Sequence, residues 1–422
     1  MDYVIVGNSA AAVGAVEGIR SVDKEGKITL FSKEPYPAYS RPLISYYLSG
    51  KVTPEKMYYR DPNFYERLKV DANLGTEVQA LKLEEKKVEL PTGELVHYDR
   101  LLIATGGNPI TPPIPGREYS GISTFLTWND VKELEKELFP GIKVVIIGAG
   151  LIGLKATEAL VKREAIVTVA ELSNRILSAI LDEDSAQIVQ DHFEEQGVKF
   201  QLNNTVSEIL GEQGKVTGVR LQNGEKLACD RVILAIGVRP NMDLVRNTNI
   251  KLNQGILITP QMETSVTNVY AAGDVSEGYD KIYQENRVLP ILPNAYKQGF
   301  TAGVNMAGGS SEYQGGFAMN AIGFFDLPML TAGIIKPTAP DFQEYIQYDK
   351  SKSKSNYKKI VLRAGKLVGY IALNTVDRAG ILTGLMDQEV DVTPFQEHLL
   401  KEDFGYIHFP RELRSQRLTL RK

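Results

Sequence analysis

The residues with the clearest chemical use are three glycines and one acid. Gly148, Gly150 and Gly153 fall in the order Gly-x-Gly-x-x-Gly within "KVVIIGAGLIGLKATEALVKREAIVTVAEL" (143–172), and Glu171 stands near its end. That spacing suits a dinucleotide. The first glycine permits a tight turn, the second lets backbone approach a pyrophosphate, and the third lets a helix pack on a strand. The N–H groups that open the helix then face the phosphates. A carboxylate at Glu171 can accept hydrogen bonds from an adenosine ribose and repels a 2′-phosphate, which predicts NAD(H) over NADP(H). The surrounding apolar runs predict strands over 144–147 and 166–170, with a helix between them.

A degenerate copy opens the chain. In "VIVGNSAAAVGA" (4–15) only Gly7 survives, with Ser9 and Ala12 at the other two glycine places. Strands are predicted over 3–6 and 27–31. Ser32 occupies the place of the ribose acid, and Glu34 is the best substitute. Alone, this stretch suits a plain β-α-β unit as well as a cofactor site. Two later segments favour the cofactor. "YDRLLIATGGNP" (98–109) closes an apolar strand on Ala104-Thr105-Gly106, and "TSVTNVYAAGDVSEG" (264–278) closes one on Gly273-Asp274. The first has an analogue in "CDRVILAIGVRPN" (229–241), which ends on Ala235-Ile236-Gly237. The chain therefore reads as a duplicated nucleotide-binding unit, one copy inserted in the other.

Composition agrees with an α/β globular protein of two or three domains. The 422 residues are 43% hydrophobic and 24% charged, with a formal net charge of -4, which gives no reason to expect nucleic acid as partner. No apolar run approaches the roughly 18 residues of a membrane helix. The chain enters a strand at once, which leaves no room for a signal peptide. Cys229 is the single cysteine, so neither an internal disulfide nor a cysteine metal cluster can form, and a cytoplasmic location is expected. His97, His192, His398 and His408 lie far apart and show no metal-ligand spacing.

The order of motifs resembles the FAD-dependent pyridine nucleotide reductases with two dinucleotide-binding domains. Rubredoxin and ferredoxin reductases and the flavoprotein part of NADH nitrite reductase are the nearest in pattern. Flavoprotein subunits of larger systems, such as phenylglyoxylate dehydrogenase or carbon monoxide dehydrogenase, also resemble it. The resemblance implies FAD and NAD as cofactors. It places Gly7, Asn8, Ser9, Ala10, Ala11 and Ala12 around the FAD pyrophosphate, Glu34 on its ribose, and Arg41 of "YSRPL" beside the cofactor. Val78 would read the adenine through its backbone, and Asp274 would hold the ribityl chain, with a following helix aimed at the phosphates. The glycine-ended strands add Thr105, Gly106 and Gly273 to this set. Gly148, Gly150, Gly153, Glu171 and Gly237 belong to the NAD side. The plainer alternatives are a surface arginine at Arg41 and a helix N-cap at Asp274.

Departures from the pattern narrow the function. Many members of the larger group carry a redox cysteine in the loop after the second strand; here "PAYSRPLISYYLSG" (37–50) has none. A thiol relay is excluded, and with it disulfide reductases and cysteine-sulfenate peroxidases. Relatives usually read Leu-Ser-Lys in that loop and Gly-Leu-Glu after the NAD glycines, a charge pair beside the flavin. Here Tyr46 replaces the lysine and Lys155 the glutamate, which makes both candidates for tuning the flavin; the alternative for Lys155 is a solvent-facing helix position. The lysine turn in "YDKSKSKSNYKK", with Lys350, Lys352, Lys354, Lys358 and Lys359, reads as a solvated hairpin tip or, more sharply, a docking patch for an acidic partner.

The expected domains are an FAD domain (1–110 and 242–315), an NAD domain (111–241) and a C-terminal α+β interface domain (316–422). The expected function is electron passage between NAD(H) and an iron–sulfur protein, ferredoxin- or rubredoxin-like, or a larger redox complex. The resemblance allows a homodimer through the C-terminal domain. The alternatives are a soluble NADH oxidase and a non-enzymatic flavin-bearing redox sensor or scaffold.

Overall fold

The structure, a computed structural model, describes residues 1–349 and 355–418. It divides into two compact units. The first comprises Met1–Ile110, Leu126–Lys132 and Gly237–Phe317; the second comprises Thr111–Phe125, Glu133–Ile236 and the chain from Ala318.

The core of the first unit is a five-stranded parallel sheet. Its order is Val269–Ala271, Arg100–Ile103, Asp2–Val6, Lys27–Ser32, Val70–Leu74. Strands covered on both faces carry continuous apolar runs rather than alternation, as "YVIV" and "LLI" do. One face is covered by the helix Ala10–Val22, which packs against Leu292–Met306. The alanine-rich opening of the first helix serves this contact. A Cβ on Gly299 would sit 1.9 Å from the Ala11 carbonyl oxygen, and one on Gly14 would sit 2.3 Å from that of Tyr296. The two backbones touch where only small residues allow it.

The second unit repeats the arrangement. Its parallel sheet runs Lys199–Gln201, Ile166–Ala170, Lys143–Ile147, Arg231–Leu234, Ile122–Thr124. Each sheet thus puts its glycine-turn strand in the centre, flanked by the second strand of its β-α-β unit on one side and the glycine-ended strand on the other. The duplication seen in the sequence is a duplication of topology. The paired repeats also meet: Gly107–Pro109 lies antiparallel to Val238–Pro240, where the chain leaves and re-enters the first unit.

The second unit also holds a five-stranded antiparallel sheet. It is ordered Met319–Phe324, Leu327–Gly333, Lys366–Leu373, Asn356–Arg363, Phe342–Asp349. Here the lysine turn needs correction. Lys350, Lys352 and Lys354 lie outside the described residues. Lys358 and Lys359 are strand residues, buried at 8% and 5% exposure, and cannot be part of a solvated tip. Among the described residues, no helix is long and apolar enough to cross a membrane.

Candidate functional site: two nucleotide cradles

In the first unit, Gly7 ends the strand Asp2–Val6 with φ +120°, and its Cβ position lies 2.1 Å from the Ala104 carbonyl oxygen. Asn8 is fixed on both ends of its amide: Nδ2 donates to Tyr36 O at 3.1 Å, and the Tyr65 hydroxyl donates to Oδ1 at 2.8 Å. Ser9 caps the helix Ala10–Val22 without a side-chain bond to it, so the cap satisfies none of the N–H groups of the first turn. The first turn holds no acid to oppose an anion. Gly273 is held by Gln298, whose Oε1 accepts its N–H at 2.8 Å. Gln298 is buried on the helix Leu292–Met306 and is a site-building residue that the sequence reading missed.

Asp274 follows Gly273, but no helix follows Asp274. A hairpin, Ser276–Asp280 and Glu285–Val288, intervenes, and the next helix begins only at Leu292. The expected helix aimed from Asp274 and the N-cap alternative are both corrected by this hairpin. Burial raises the Asp274 pKa, and the Arg41 guanidinium opposes the rise. Burial likewise works against the charge of Arg41, but Tyr39, Glu34 and Asp274 outweigh it and hold its pKa above the usual value. The Arg41 side chain is 37% exposed, but it is not free. It pairs with Glu34, whose other oxygen accepts from the Tyr39 hydroxyl at 2.6 Å. The same hydroxyl accepts the Trp128 backbone N–H at 3.0 Å. Tyr39 and Trp128, whose rings lie 5.5 Å apart, were missed in the sequence, where no spacing links them.

The other expected residues of this cradle have clear local roles. Thr105 Oγ1 donates to Asn241 O at 2.8 Å and so braces the loop. Val78 is buried in the apolar cluster with Val88 and Ile103. Gly106 has φ +68° and open space on its Cβ side. Tyr46 lies on the short helix Ile44–Leu48, with the Lys51 ammonium 5.7 Å from its ring centre.

In the second unit, the strand Lys143–Ile147 ends at Gly148, φ +105°, and Gly150 caps the helix Leu151–Val161 with open space beside it. Gly153 lies against the Gly148 carbonyl. Glu171 bends back over this turn: Oε2 accepts the Ala149 N–H at 2.7 Å and Oε1 accepts the Ser173 N–H at 2.8 Å. The carboxylate is thus fixed beside the glycine turn. Gly237 lies outside this unit, at φ +121°, where the chain re-enters the first.

Lys155 is buried at 9% exposure, which removes the solvent-facing alternative. It pairs with Glu158 and donates to Gly323 O at 3.1 Å. Glu158 also pairs with Lys162 and accepts the Phe325 N–H at 3.0 Å. Burial opposes the Glu158 charge, but the two lysines outweigh it and keep its pKa low. Cys229 is buried, and burial first, then Asp230, pushes its thiol up to about 12, so no thiolate forms near neutral pH.

Both cradles pair a glycine turn with the start of a helix, and the first adds the half-buried carboxylate of Asp274, which interacts electrostatically with Arg41. The sequence profile of the pyridine nucleotide-disulphide oxidoreductases matches residues 1–299. The chain belongs to that family. Its members are oxidoreductases that use FAD and NAD(H), and the residues described here fit both groups. The epsilon subunit of the NADH-dependent phenylglyoxylate dehydrogenase of Aromatoleum evansii is 32% identical over 420 residues, covering 98% of this chain and 97% of that one. Rubredoxin-NAD(+) reductase of Pseudomonas putida is 30% identical over 312 residues, 74% of this chain and 81% of that one. The solved NAD-dependent persulfide reductase of A. fulgidus superposes with a TM-score of 0.85 at 26% identity, over 94% of this chain and 78% of that one.

Proposed function

We propose that this oxidoreductase carries electrons between NAD(H) and an iron–sulfur protein in the cytoplasm, alone or as a subunit of a larger complex. FAD supplies hydride exchange with the nicotinamide and one-electron exchange with the partner. The observation that carries the reading is the lack of a usable thiol: the loop 37–50 has no cysteine and Cys229 is buried with a raised pKa. The two similar proteins, one a subunit of an NADH-dependent dehydrogenase and one named for rubredoxin, support it. In this reading residues 1–110 and 242–315 bind FAD, 111–241 bind NAD, and 316–422 form the interface domain, through which a homodimer would form. Asp274, Arg41 and the turn from Gly7 to Ala12 hold FAD; Gly148, Gly150 and Gly153 hold the NAD pyrophosphate. The test is stopped-flow reduction by NADH, followed by turnover with oxygen and with a rubredoxin or a ferredoxin. Fast reduction, slow oxygen use and fast transfer to one of the carriers are expected. Fast oxygen turnover overturns the reading.

Glu171 sets the nucleotide preference. Its carboxylate is fixed beside the glycine turn and repels a 2′-phosphate, so kcat/KM should favour NADH over NADPH by at least about tenfold, or about 1.4 kcal/mol. In Glu171→Arg the guanidinium attracts that phosphate and the ratio narrows or inverts. Equal ratios in the two proteins rule out this role.

Lys155 and Tyr46 are the candidates for tuning the flavin. In Lys155→Met, Glu158 keeps Lys162 but loses a buried hydrogen-bonded partner, at a cost of about 1–3 kcal/mol. The melting temperature falls accordingly. A tuning role adds a drop in flavin midpoint potential of up to about 30 mV, since Glu158 offsets part of the lysine charge. A lower melting point with an unchanged potential makes Lys155 a structural staple only.

A further inference from the structure

Lys358 and Lys359 are neighbours on the strand Asn356–Arg363, so their side chains leave it on opposite faces. Both are buried, yet their surroundings differ. Lys359 Nζ lies 3.2 Å from Asp182 Oδ2 and 2.5 Å from Glu344 Oε2. Its charge is answered twice. Lys358 Nζ donates to the Leu400 carbonyl at 3.4 Å, a long bond for a group with three protons to place. Burial lowers its pKa, while Glu402 and Asp377 pull the other way. A buried ammonium held this weakly is costly unless another acceptor reaches it.

The space that could hold such an acceptor is present. Lys358 lines a small cavity together with Arg378, Lys401, Asp377, Glu402 and Phe404. The other two cations bond to backbone carbonyls and to a histidine ring. The Arg378 guanidinium donates to Asp403 O at 2.7 Å and Phe404 O at 3.3 Å, and Lys401 Nζ lies 2.9 Å from His398 Nδ1. Three cations and two carboxylates line the cavity, so one further negative charge balances it. There is room for about one water-sized occupant. A phosphate, a sulfate or a dicarboxylate brings two negative charges and overshoots that balance.

We propose that this cavity is a binding site for a single halide-sized anion, held by the Lys358 ammonium. Chloride is the occupant in ordinary buffers. The bound ion ties the strand to the segment 399–404 that closes the cavity, because Lys358 bonds Leu400 and Arg378 bonds Asp403 and Phe404. Nitrogen donors on a buried charged group favour a small anion over a neutral occupant.

Chloride-35 NMR on the full chain tests the site. Line broadening by the protein should be saturable with chloride, reversed by bromide and insensitive to sulfate at matched ionic strength. Lys358→Met should weaken chloride binding by at least about tenfold, the loss of a charge-assisted donor. Lys358→Arg should retain it, and Lys56→Met, at an exposed lysine, should behave as the parent. Should Lys358→Met fail to fold, bromide against sulfate competition in the parent and in Lys358→Arg decides. Broadening that sulfate reverses as well as bromide, or that survives in a folded Lys358→Met protein, overturns the site. So does an absence of saturable broadening in the parent, which would leave water as the occupant.

Discussion

Replacing Gly7 by alanine is expected to yield a colourless protein that unfolds at much lower denaturant. The added Cβ would sit 2.1 Å from the Ala104 carbonyl oxygen, in a backbone conformation, φ +120°, that side chains rarely adopt. The obstacle is backbone of the neighbouring sheet strand's end, which cannot swing aside as a side chain could. Strain of this kind and overpacking together cost about 3–5 kcal/mol. The turn proposed to hold the pyrophosphate must open, so on that reading flavin is lost with stability. Gly93→Ala is the matched control. Gly93 also has positive φ, +82°, but its Cβ would meet nothing within 4 Å. It should cost only about 1–2 kcal/mol and leave the protein yellow. Urea midpoints and flavin absorbance of the two variants check this. A stable, yellow Gly7→Ala protein would falsify the cradle.

Asp274→Ala should separate binding from folding. Burial holds the Asp274 carboxylate at a raised pKa, so its charge costs stability. Removing it should leave the melting temperature of flavin-free protein unchanged or slightly higher. FAD affinity should instead fall about tenfold to a hundredfold, the about 1–3 kcal/mol of a lost acceptor for a buried hydroxyl. Asp274→Asn, which keeps an acceptor oxygen, should lie between. Fluorescence titration of apoprotein with FAD gives the affinities. Parent-like FAD binding in Asp274→Ala would remove Asp274 from the site, and a large drop in apoprotein stability would make it structural.

The motifs beneath both predictions are carried plainly by a single sequence, whereas the approach of Gly7 to Ala104 and the burial of Asp274 are not. A strand, a glycine turn and a helix are contiguous, and their signals are local: an apolar run, residues that tolerate positive φ, then small residues at helical spacing. For that reason the turns at Gly7 and Gly148, the strands flanking them, and the position of Glu171 beside the second turn could be read directly. The duplication was equally plain, because two copies of one local pattern differ little. The central placement of both glycine strands in the two sheets follows from that pattern.

The rest depended on contacts between distant segments. Nothing near Ala11 in sequence requires Gly299; only the meeting of two helix backbones does. Arg41 and Glu34 looked like separate cofactor contacts, yet they bind each other, with Tyr39 between Glu34 and the backbone of Trp128. The hairpin after Asp274 displaced an expected helix, since pairing of Glu277–Asp280 with Glu285–Val288 is a choice made between strands. Lys155 and the lysine pair at 358–359 show the limit most directly. Charge in a sequence is read as exposure, but burial is set by which strands and helices cover a side chain. Glu158 answers Lys155, and Asp182 and Glu344 answer Lys359. Local chemistry was therefore determined by the sequence alone. Partners and burial, which depend on segments far apart in the chain coming within a few ångströms, were decided by the tertiary fold.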